Sequence, residues 1–537
     1  MTQTQQILRF TRSVTLVTLL SRVFGYARDL LIAVLLGTSL AADAFVIAFR
    51  IPNLLRRMLT EGAMTGAFIP VFTGYRERGS QAEAWEFARR AFWTLALVMA
   101  GLTLLGLVFA PQLVRAFTLA SPAPEQWSLA VLLTRITLPY ALLISLTALA
   151  GAMLNTVGVF GLPAAVPIVM NLAILAAGLW SWATGRAEPA VALAVGVVLG
   201  GVLQVTLQLP SLLRRGFSLK PGLGFKHAGV KRVARLMVPA LAGVGIYQVN
   251  VLVATAFAST QEGWISALYY ANRLTELALG VYAFSVATVV LPVMSKQAVQ
   301  KNVAALRSTL TFALRNVAFV VVPAAVGLIV LREPIVRLLF QHRAFAASST
   351  ELTAWALLFY ALGIPAFASV RLVVQSFYAV EDTATPVRVA GLTLGVNIAL
   401  CFALIAPLGH GGLALATSAA SYFNLLALYL IFRRRLGAIE ERKLAASLAR
   451  TVLAAGVMGV GCWWLAAQLA LPETAAFAAL FAGCLTTIAA GVGLYLILAW
   501  LLRSEELSEV RTLVTGRRRE TLTGVGAAVP YTNNNSA

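Results

Sequence analysis

Residues 13–73 decide the fold, as SVTLVTLLSRVFGYARDLLIAVLL over 13–36 and AADAFVIAFRIPNLLRRMLTEGAMTGAFIPVFT over 41–73. Each apolar run exceeds the about 20 residues that a helix needs to cross a bilayer. Both runs nevertheless carry arginines, and a charge within the hydrocarbon normally faces the protein interior or water. The pair therefore predicts two membrane-spanning helices that line a polar interior.

The rest of the chain continues this pattern. Hydrophobic residues make up 59% of the 537 residues and charged residues 12%, about half the share in a soluble domain. This composition excludes a soluble enzyme with one anchor, a secreted protein, a coiled coil and a disordered chain, and unbroken apolar runs are unlike the alternating strands of an outer-membrane barrel. We expect an all-α polytopic membrane protein with about fourteen spans, at 13–36, 41–73, 86–112, 127–155, 160–183, 190–213, 233–258, 264–294, 308–330, 349–379, 386–407, 411–433, 446–470 and 475–502.

Prolines and basic residues refine this topology. Pro52 lies within the second span, Pro70 is expected to end it, and Pro139, Pro292 and Pro365 are expected to interrupt or end others. The net charge of +21 is explained by cytoplasmic segments rich in arginine and lysine, so it does not indicate a nucleic-acid partner. If the N-terminus is cytoplasmic, the outside segments hold few basic residues, namely Arg115, Arg186, Arg332, Arg337 and Arg343. We therefore place the chain in the plasma (inner) membrane with both termini in the cytoplasm.

A weak internal repeat divides the chain. A shift of 222 positions superposes the first two spans on the seventh and eighth and puts Arg28 on Asn250, and a shift of 226 puts Asn171 on Asn397. Six spans per repeat is an even number, so both copies keep one orientation. This predicts two six-helix lobes, 1–230 and 231–440, related by a pseudo-two-fold axis along the membrane normal. Two extra helices within 441–505 and a cytoplasmic tail, 506–537, follow.

Arginines within the spans are the candidate functional residues: Arg22, Arg28, Arg50, Arg56, Arg57, Arg135, Arg273 and Arg371. Snorkelling to a helix end suits Arg135 and Arg371, and the i, i+4 spacing of Arg57 and Glu61 suits a structural ion pair. Snorkelling suits Arg22, Arg28, Arg56 and Arg273 poorly. Their planar forks match phosphate, so these four predict an anion-binding cavity. Structural ion pairs remain the alternative, with the intramembrane acids Asp29, Asp43, Glu61 and Glu276.

The remaining motifs argue against several classes of enzyme and indicate helix packing. Cys401, Cys462 and Cys484 lie in apolar runs without metal-ligand spacing, and no Walker loop or HExxH motif occurs, so we expect no metal and no cofactor. The Gly62–Gly66 pair is typical of close helix packing. Residues 332–340 are typical of an interfacial amphipathic segment. A membrane-embedded glycosyltransferase would carry an acidic pair in a sizeable outside loop, which the sequence lacks.

Several motifs resemble the MurJ (MviN) family of lipid II flippases, a branch of the multidrug/oligosaccharidyl-lipid/polysaccharide exporter superfamily. They are SRVFGYARD at 21–29, ADAF at 42–45, IPNLLRR at 51–57, EGA at 61–63 and YANRLTE at 270–276. The resemblance covers roughly 12–435. It implies a transporter, not an enzyme, that acts by alternating access and moves the undecaprenyl-diphosphate-linked peptidoglycan precursor to the outer leaflet for cell wall synthesis. A drug/cation antiporter or another polyprenyl-linked oligosaccharide exporter of the same superfamily is the runner-up.

The resemblance also implies roles for particular residues. Its substrate-binding arginines fall on Arg22, Arg28, Arg56 and Arg273. Its cavity and gate positions fall on Ser21, Asp29, Asp43, Asn53 and Glu276. Residues 441–505 would form a groove for the lipid tail, and the expected partners are lipid II and membrane lipids, with the chain a monomer. Where some relatives place acids for a cation, the seventh, eleventh and twelfth spans contain no Asp or Glu and offer neutral residues such as Asn250 and Asn397, so membrane potential is the expected driving force.

Overall fold

The structure is a computed structural model that describes residues 3–58, 64–119, 124–280, 282–469 and 477–508. The described residues form nineteen α-helices and no strand. The N-terminal half comprises α1 Gln3–Leu36, α2 Leu40–Met58, α3 Met64–Arg78, α4 Gln81–Val108, α5 Ala110–Ala116, α6 Pro124–Thr137, α7 Pro139–Thr156, α8 Gly161–Thr184 and α9 Pro189–Leu213. The C-terminal half comprises α10 Ala228–Ala258, α11 Trp264–Gly280, α12 Tyr282–Val299, α13 Val303–Val330, α14 Arg332–Phe340, α15 Ala347–Ala379, α16 Ala384–Leu408 and α17 His410–Leu436. Two more helices, α18 Glu441–Gln468 and α19 Phe477–Leu501, end the described chain.

The predicted all-α polytopic membrane protein is confirmed. Ten helical segments among the described residues are long and apolar enough to cross a membrane, with α6 and α7 together counted as one segment. Four predicted spans consist of two helices each: 41–73 of α2 and α3, 86–112 of α4 and α5, 127–155 of α6 and α7, and 264–294 of α11 and α12. Residues 332–340 form the short helix α14, with Val336 and Phe340 buried, as expected for an amphipathic segment. The three cysteines are free and buried, as predicted.

The prolines behave differently from prediction at several positions. The prediction that Pro70 ends the second span is wrong, because α3 continues through Pro70 to Arg78. Pro292 and Pro365 likewise lie inside α12 and α15 and do not end them. An internal proline removes one intrahelical hydrogen bond, and neighbouring helices compensate for that loss in a packed bundle. Pro139 does mark a break, because it begins α7.

Each half is held together by close helix packing. In the N-terminal half, α8 packs between α1 and α9, and α9 also packs on α7. Gly196 and Gly200 of α9 face α8 so closely that an added Cβ would lie 3.0 Å from the Ile174 Cα and 3.1 Å from the Met170 Cα, respectively. In the C-terminal half, α15 and α16 pack on α17 in the same manner, and α13 joins α15 to α18. Lipid is as apolar as the helix surfaces, so the hydrophobic effect does not drive these helices together. Close van der Waals packing at small residues stabilises the contacts instead.

The two halves meet at a junction on the side where α1 ends. The Tyr270 hydroxyl donates to the Gly37 carbonyl at 3.0 Å, and the Thr38 and Ser349 hydroxyls are 2.8 Å apart. Gly37 has φ +58°, and an added Cβ there would overlap the Ala344 carbonyl oxygen. We call these contacts, together with those of Asp43 described below, the junction.

Candidate functional site

Two adjoining cavities lie away from the junction: the first is mainly within the N-terminal half, with Arg273 of α11 at its edge, and the second is between the halves. The first, of about 420 Å³, is lined mainly by α1, α2, α7, α8 and α9. The second, of about 450 Å³, is lined mainly by α2, α10, α11, α15, α16 and α17. Both cavities share four lining residues: Phe49, Asn53, Arg57 and Arg273. The two volumes therefore meet along a rim formed by α2 and α11.

Arginines dominate the charge of both cavities. The first is lined by Arg28, Arg56, Arg57 and Arg273, and the second by Arg50, Arg57, Arg273 and Arg371. Glu276 is the only carboxylate that lines either cavity within the described part of the chain. The lining therefore carries far more formal positive than negative charge.

Asp29 orients two of these arginines. Its Oδ1 accepts from the Arg28 Nη2 at 2.7 Å and from the Tyr269 hydroxyl at 2.8 Å, and its Oδ2 lies 3.3 Å from the Arg273 Nε. Arg273 also pairs with Glu276 at 2.6 Å and stacks over the Tyr269 ring at 4.8 Å. Each guanidinium has five N–H donors, so pairing with a carboxylate fixes its direction and leaves further donors for a ligand.

Asn171 and Asn53 accept hydrogen bonds from the guanidinium groups of Arg28 and Arg56. The Arg28 Nη1 donates to the Asn171 Oδ1 at 2.9 Å, and the Asn171 Nδ2 donates to the Ser21 carbonyl at 3.3 Å. The Arg56 Nε donates to the Asn53 Oδ1 at 2.5 Å. Amide oxygens accept these bonds without cancelling the arginine charge, so the cavity remains electropositive.

Asp43 lies apart from both cavities, in the junction. Its Oδ2 accepts from the Gly263 N–H at 2.7 Å, and its Oδ1 accepts from the Ser266 N–H at 2.8 Å and the Ser266 hydroxyl at 2.7 Å. These N–H groups are at the beginning of α11, where a helix leaves its first donors without intrahelical partners. Asp43 of the N-terminal half therefore caps a helix of the C-terminal half.

The candidate residues of the sequence thus separate into groups. Arg28, Arg56, Arg273, Asn53 and Glu276 line the cavities. Asp29 is buried and contacts two of them, Arg28 and Arg273.

Arg22 and Ser21 are placed differently. The Arg22 guanidinium lies against the backbone of Gly280, and Arg22 does not line either cavity. Ser21 contributes its carbonyl to Asn171. The helical wheel puts Arg22 and Asp29 on one face, yet Arg28 reaches Asp29, because a long side chain can bend along the helix surface. Glu61, the expected partner of Arg57, lies outside the described residues.

Sequence reasoning gave no ligand role to three cavity residues, Arg50, Arg57 and Arg371. The sequence predicts snorkelling for Arg371, and in the structure Arg371 lines the second cavity. Asn171 and Tyr269 were also missed as arginine-orienting residues. Each is a polar side chain inside an apolar helix, which is a usable signal although it does not identify the partner.

Asn250 and Asn397 face one another in the second cavity. The Asn397 Nδ2 donates to the Asn250 Oδ1 at 2.5 Å. They join α10 to α16 much as Arg28 and Asn171 join α1 to α8. No group of three or more His, Cys, Asp or Glu that could hold a metal ion occurs among the described residues.

A bundle of membrane-crossing helices in two halves, closed at one side and enclosing an arginine-lined cavity, defines a polytopic membrane carrier. Residues 32–482 match the family Lipid II flippase MurJ. The chain is 35% identical to the probable lipid II flippase MurJ of Vibrio cholerae over 86% of this chain and 90% of that protein. It is 35% identical to the lipid II flippase MurJ of Burkholderia cenocepacia over 78% and 82%. The chain belongs to the lipid II flippase MurJ family.

Solved structures agree with this assignment. A lipid II flippase MurJ in an inward closed conformation superposes with a TM-score of 0.76 at 28% identity, over 94% of this chain and 99% of that one. An inward-facing multidrug resistance MATE transporter of the MOP superfamily superposes with a TM-score of 0.66 at 16% identity, over 78% and 96%. The second likeness is one of fold alone.

Proposed function

We propose that this protein translocates lipid II, the undecaprenyl-diphosphate-linked peptidoglycan precursor, from the cytoplasmic to the outer leaflet of the inner membrane for cell wall synthesis. The observation that carries the proposal is the arginine-rich cavity that the two adjoining volumes form together in a chain of the MurJ family. The cavity binds the diphosphate, and the bound headgroup crosses the membrane as the halves rock about it. Transport of this kind needs no covalent chemistry, so the protein is a transporter and not an enzyme.

The chemistry of the cavity favours a diphosphate. Arg28 and Arg273 converge on Asp29 from α1 and α11, so one carboxylate holds guanidinium groups of both halves at the same place. Charge-assisted bonds from a planar guanidinium to phosphate oxygens are among the strongest hydrogen bonds in proteins. A drug/cation antiporter would instead want intramembrane carboxylates in excess, and Glu276 alone lines the described cavities.

The proposed architecture is fourteen spans, with two six-helix lobes at 1–230 and 231–440 related by a pseudo-two-fold axis. The internal repeat supports it through contacts: positions 28 and 171 correspond to 250 and 397, and each pair is hydrogen bonded. Two unrelated bundles would have no reason to place corresponding residues in contact. Beyond the lobes, α18 and α19 form the proposed lipid-tail groove at 441–505. The segment 506–537 is assigned to the cytoplasmic side, with its first residue, Glu506, packed on α13 and α18.

The proposed orientation puts both termini in the cytoplasm and the junction on the outer side. The structure is then closed to the outside, with Asp43 and Asp29 as ties between the halves. Diphosphate binding competes with Asp29 for Arg28 and Arg273. We propose that this competition weakens the ties and favours opening to the outside, with the chain acting as a monomer.

Membrane potential is the proposed driving force. The Asn250–Asn397 pair is neutral and hydrogen bonded to itself, so it supplies no carboxylate to a bound cation. Moving one net charge through the membrane field is worth about 2.3 kcal/mol per 100 mV. In proteoliposomes, an imposed potassium diffusion potential is expected to change the rate of lipid II translocation, and a sodium gradient alone is not.

The central experiment removes one cavity arginine. Arg28→Ala is expected to abolish growth in a strain depleted of its own flippase, with normal membrane levels of the protein. The matched control is Arg135→Ala, since Arg135 is an exposed arginine of α6 that lines neither described cavity, and it is expected to support growth. Full growth with Arg28→Ala would remove the cavity from the mechanism.

A further inference from the structure

The first cavity is lined by uncharged polar side chains as well as by arginines, and we call the part lined by these uncharged side chains its neutral end. Gln204 and Gln208 of α9 line it together with Thr147 and Asn155 of α7. Gln204 is 2% exposed, Gln208 is fully buried and Thr147 is 4% exposed. Long polar side chains are costly inside a membrane helix, so two buried glutamines one turn apart in the mostly apolar α9 indicate a specific role.

The side-chain amide nitrogens of Gln204 and Gln208 have a structural role. The Gln204 Nε2 donates to the Val166 carbonyl at 3.0 Å, and the Gln208 Nε2 donates to the Thr147 carbonyl at 3.2 Å. These bonds tie α9 to α8 and to α7. They also fix which atom of each amide is the oxygen, because only the nitrogen can donate to a carbonyl.

The side-chain amide oxygens of both glutamines lack a hydrogen-bond donor. The Gln204 Oε1, the Gln208 Oε1 and the Thr147 Oγ1 are buried without a hydrogen-bond partner. Gly151 leaves room beside them, since an added Cβ would lie 3.4 Å from the Gln208 Oε1. A buried acceptor without a donor costs free energy, so a site with several of them is suited to a ligand that brings donors.

We propose that this neutral end of the first cavity, defined by Thr147, Gln204 and Gln208, is a subsite for the sugar portion of the transported headgroup. The inference rests on the proposed function. A sugar ring presents several hydroxyl donors and carries no charge, which matches acceptors in a lining without carboxylates. The arginines that would bind the phosphates line the same cavity, so the glycosyl group attached to the diphosphate can reach the neutral end.

The test compares lipid binding by purified, detergent-solubilised full-length protein, using three probes. The probes are polyprenyl diphosphate without a sugar, the same lipid with its sugars but without peptide, and complete lipid II. The double variant Gln204→Leu/Gln208→Leu is expected to bind both glycosylated probes about tenfold more weakly and the sugar-free diphosphate as before. Arg28→Ala is expected to weaken binding of all three.

A matched control separates binding from folding. Gln297 of α12 is 8% exposed, its Nε2 donates to Thr309 at 2.9 Å, and its Oε1 is also unpartnered, but it does not line the first cavity. Gln297→Leu is expected to leave all three affinities unchanged. Equal weakening for all probes in the double variant, or none, would overturn the sugar assignment, as would a loss confined to the peptide-bearing probe. Failure of the wild type to bind any probe would instead overturn the proposed function.

Discussion

Asp43 gives the sharpest test of how the two halves separate. Asp43→Asn keeps the shape of the side chain but replaces one acceptor oxygen by an NH₂ group that faces the N–H groups of Gly263 or Ser266. A hydrogen bond to a charged group contributes about 1.5–3 kcal/mol. The carboxylate also loses its favourable position at the beginning of α11. A loss of about 2 kcal/mol lowers the ratio of closed to open junction about 30-fold.

A single engineered cysteine measures that ratio. Ser349 is 3% exposed and its hydroxyl lies 2.8 Å from that of Thr38 across the junction, so Ser349→Cys is shielded while the halves are joined. The natural cysteines are replaced by alanine. The labelling rate with a membrane-impermeant maleimide then reports opening, and adding Asp43→Asn is expected to raise it by at least tenfold.

The matched control is another aspartate that caps a helix. Asp382 accepts from the Thr385 N–H at 2.9 Å and the Thr385 hydroxyl at 2.6 Å, entirely within the C-terminal half. Asp382→Asn is expected to lower the melting temperature without changing the labelling rate. If Asp43→Asn folds and is labelled no faster than the control, Asp43 does not hold the halves together and the assignment of the junction as a gate is wrong.

Two further predictions concern the junction backbone and pH. Gly37→Ala and Gly158→Ala both place alanine at positive φ, at a cost of about 1–2 kcal/mol, but only Gly37 faces the Ala344 carbonyl. Gly37→Ala is therefore expected to lower the melting temperature clearly more than Gly158→Ala does. Equal losses would show that the backbone near Ala344 moves to accommodate the added Cβ. The hydroxyl and N–H of Thr385 lower the pKa of Asp382, so its contribution is present above the unfolded pKa of about 3.9 and is lost as pH falls. The difference in melting temperature between wild type and Asp382→Asn should be constant from about pH 7 to 5 and shrink below about pH 4, and a constant difference would contradict this cause.

Residues 441–508 show a limit of sequence reasoning. The predicted tail begins at 506, yet Glu506 is 1% exposed, and its carboxylate binds Arg315 of α13 at 2.6 Å and the Ser447 hydroxyl of α18 at 2.6 Å. A short polar segment after the last span looks like a tail in sequence. Its burial depends on an arginine 191 positions earlier, which no local pattern reveals.

The sequence by itself determined the kind of protein and most of its helices. Apolar run length and the cost of lipid-exposed backbone leave a membrane helix as the only local solution, so spans can be read from a window of about 20 residues. The same local reasoning identified Arg28, Arg56 and Arg273 as unusual, because a charge in hydrocarbon is costly wherever the helix lies.

Only the tertiary structure decided what those charges meet. Asp29 lies between Arg28 and Arg273, which are far apart in the chain, and Asp43 caps a helix of the other half. Arg22 faces Gly280, whereas Arg371 lines the second cavity. Electrostatic and hydrogen-bond energies depend on separations of a few ångströms between segments, and those separations are fixed by how the helices pack and not by periodicity within any one of them.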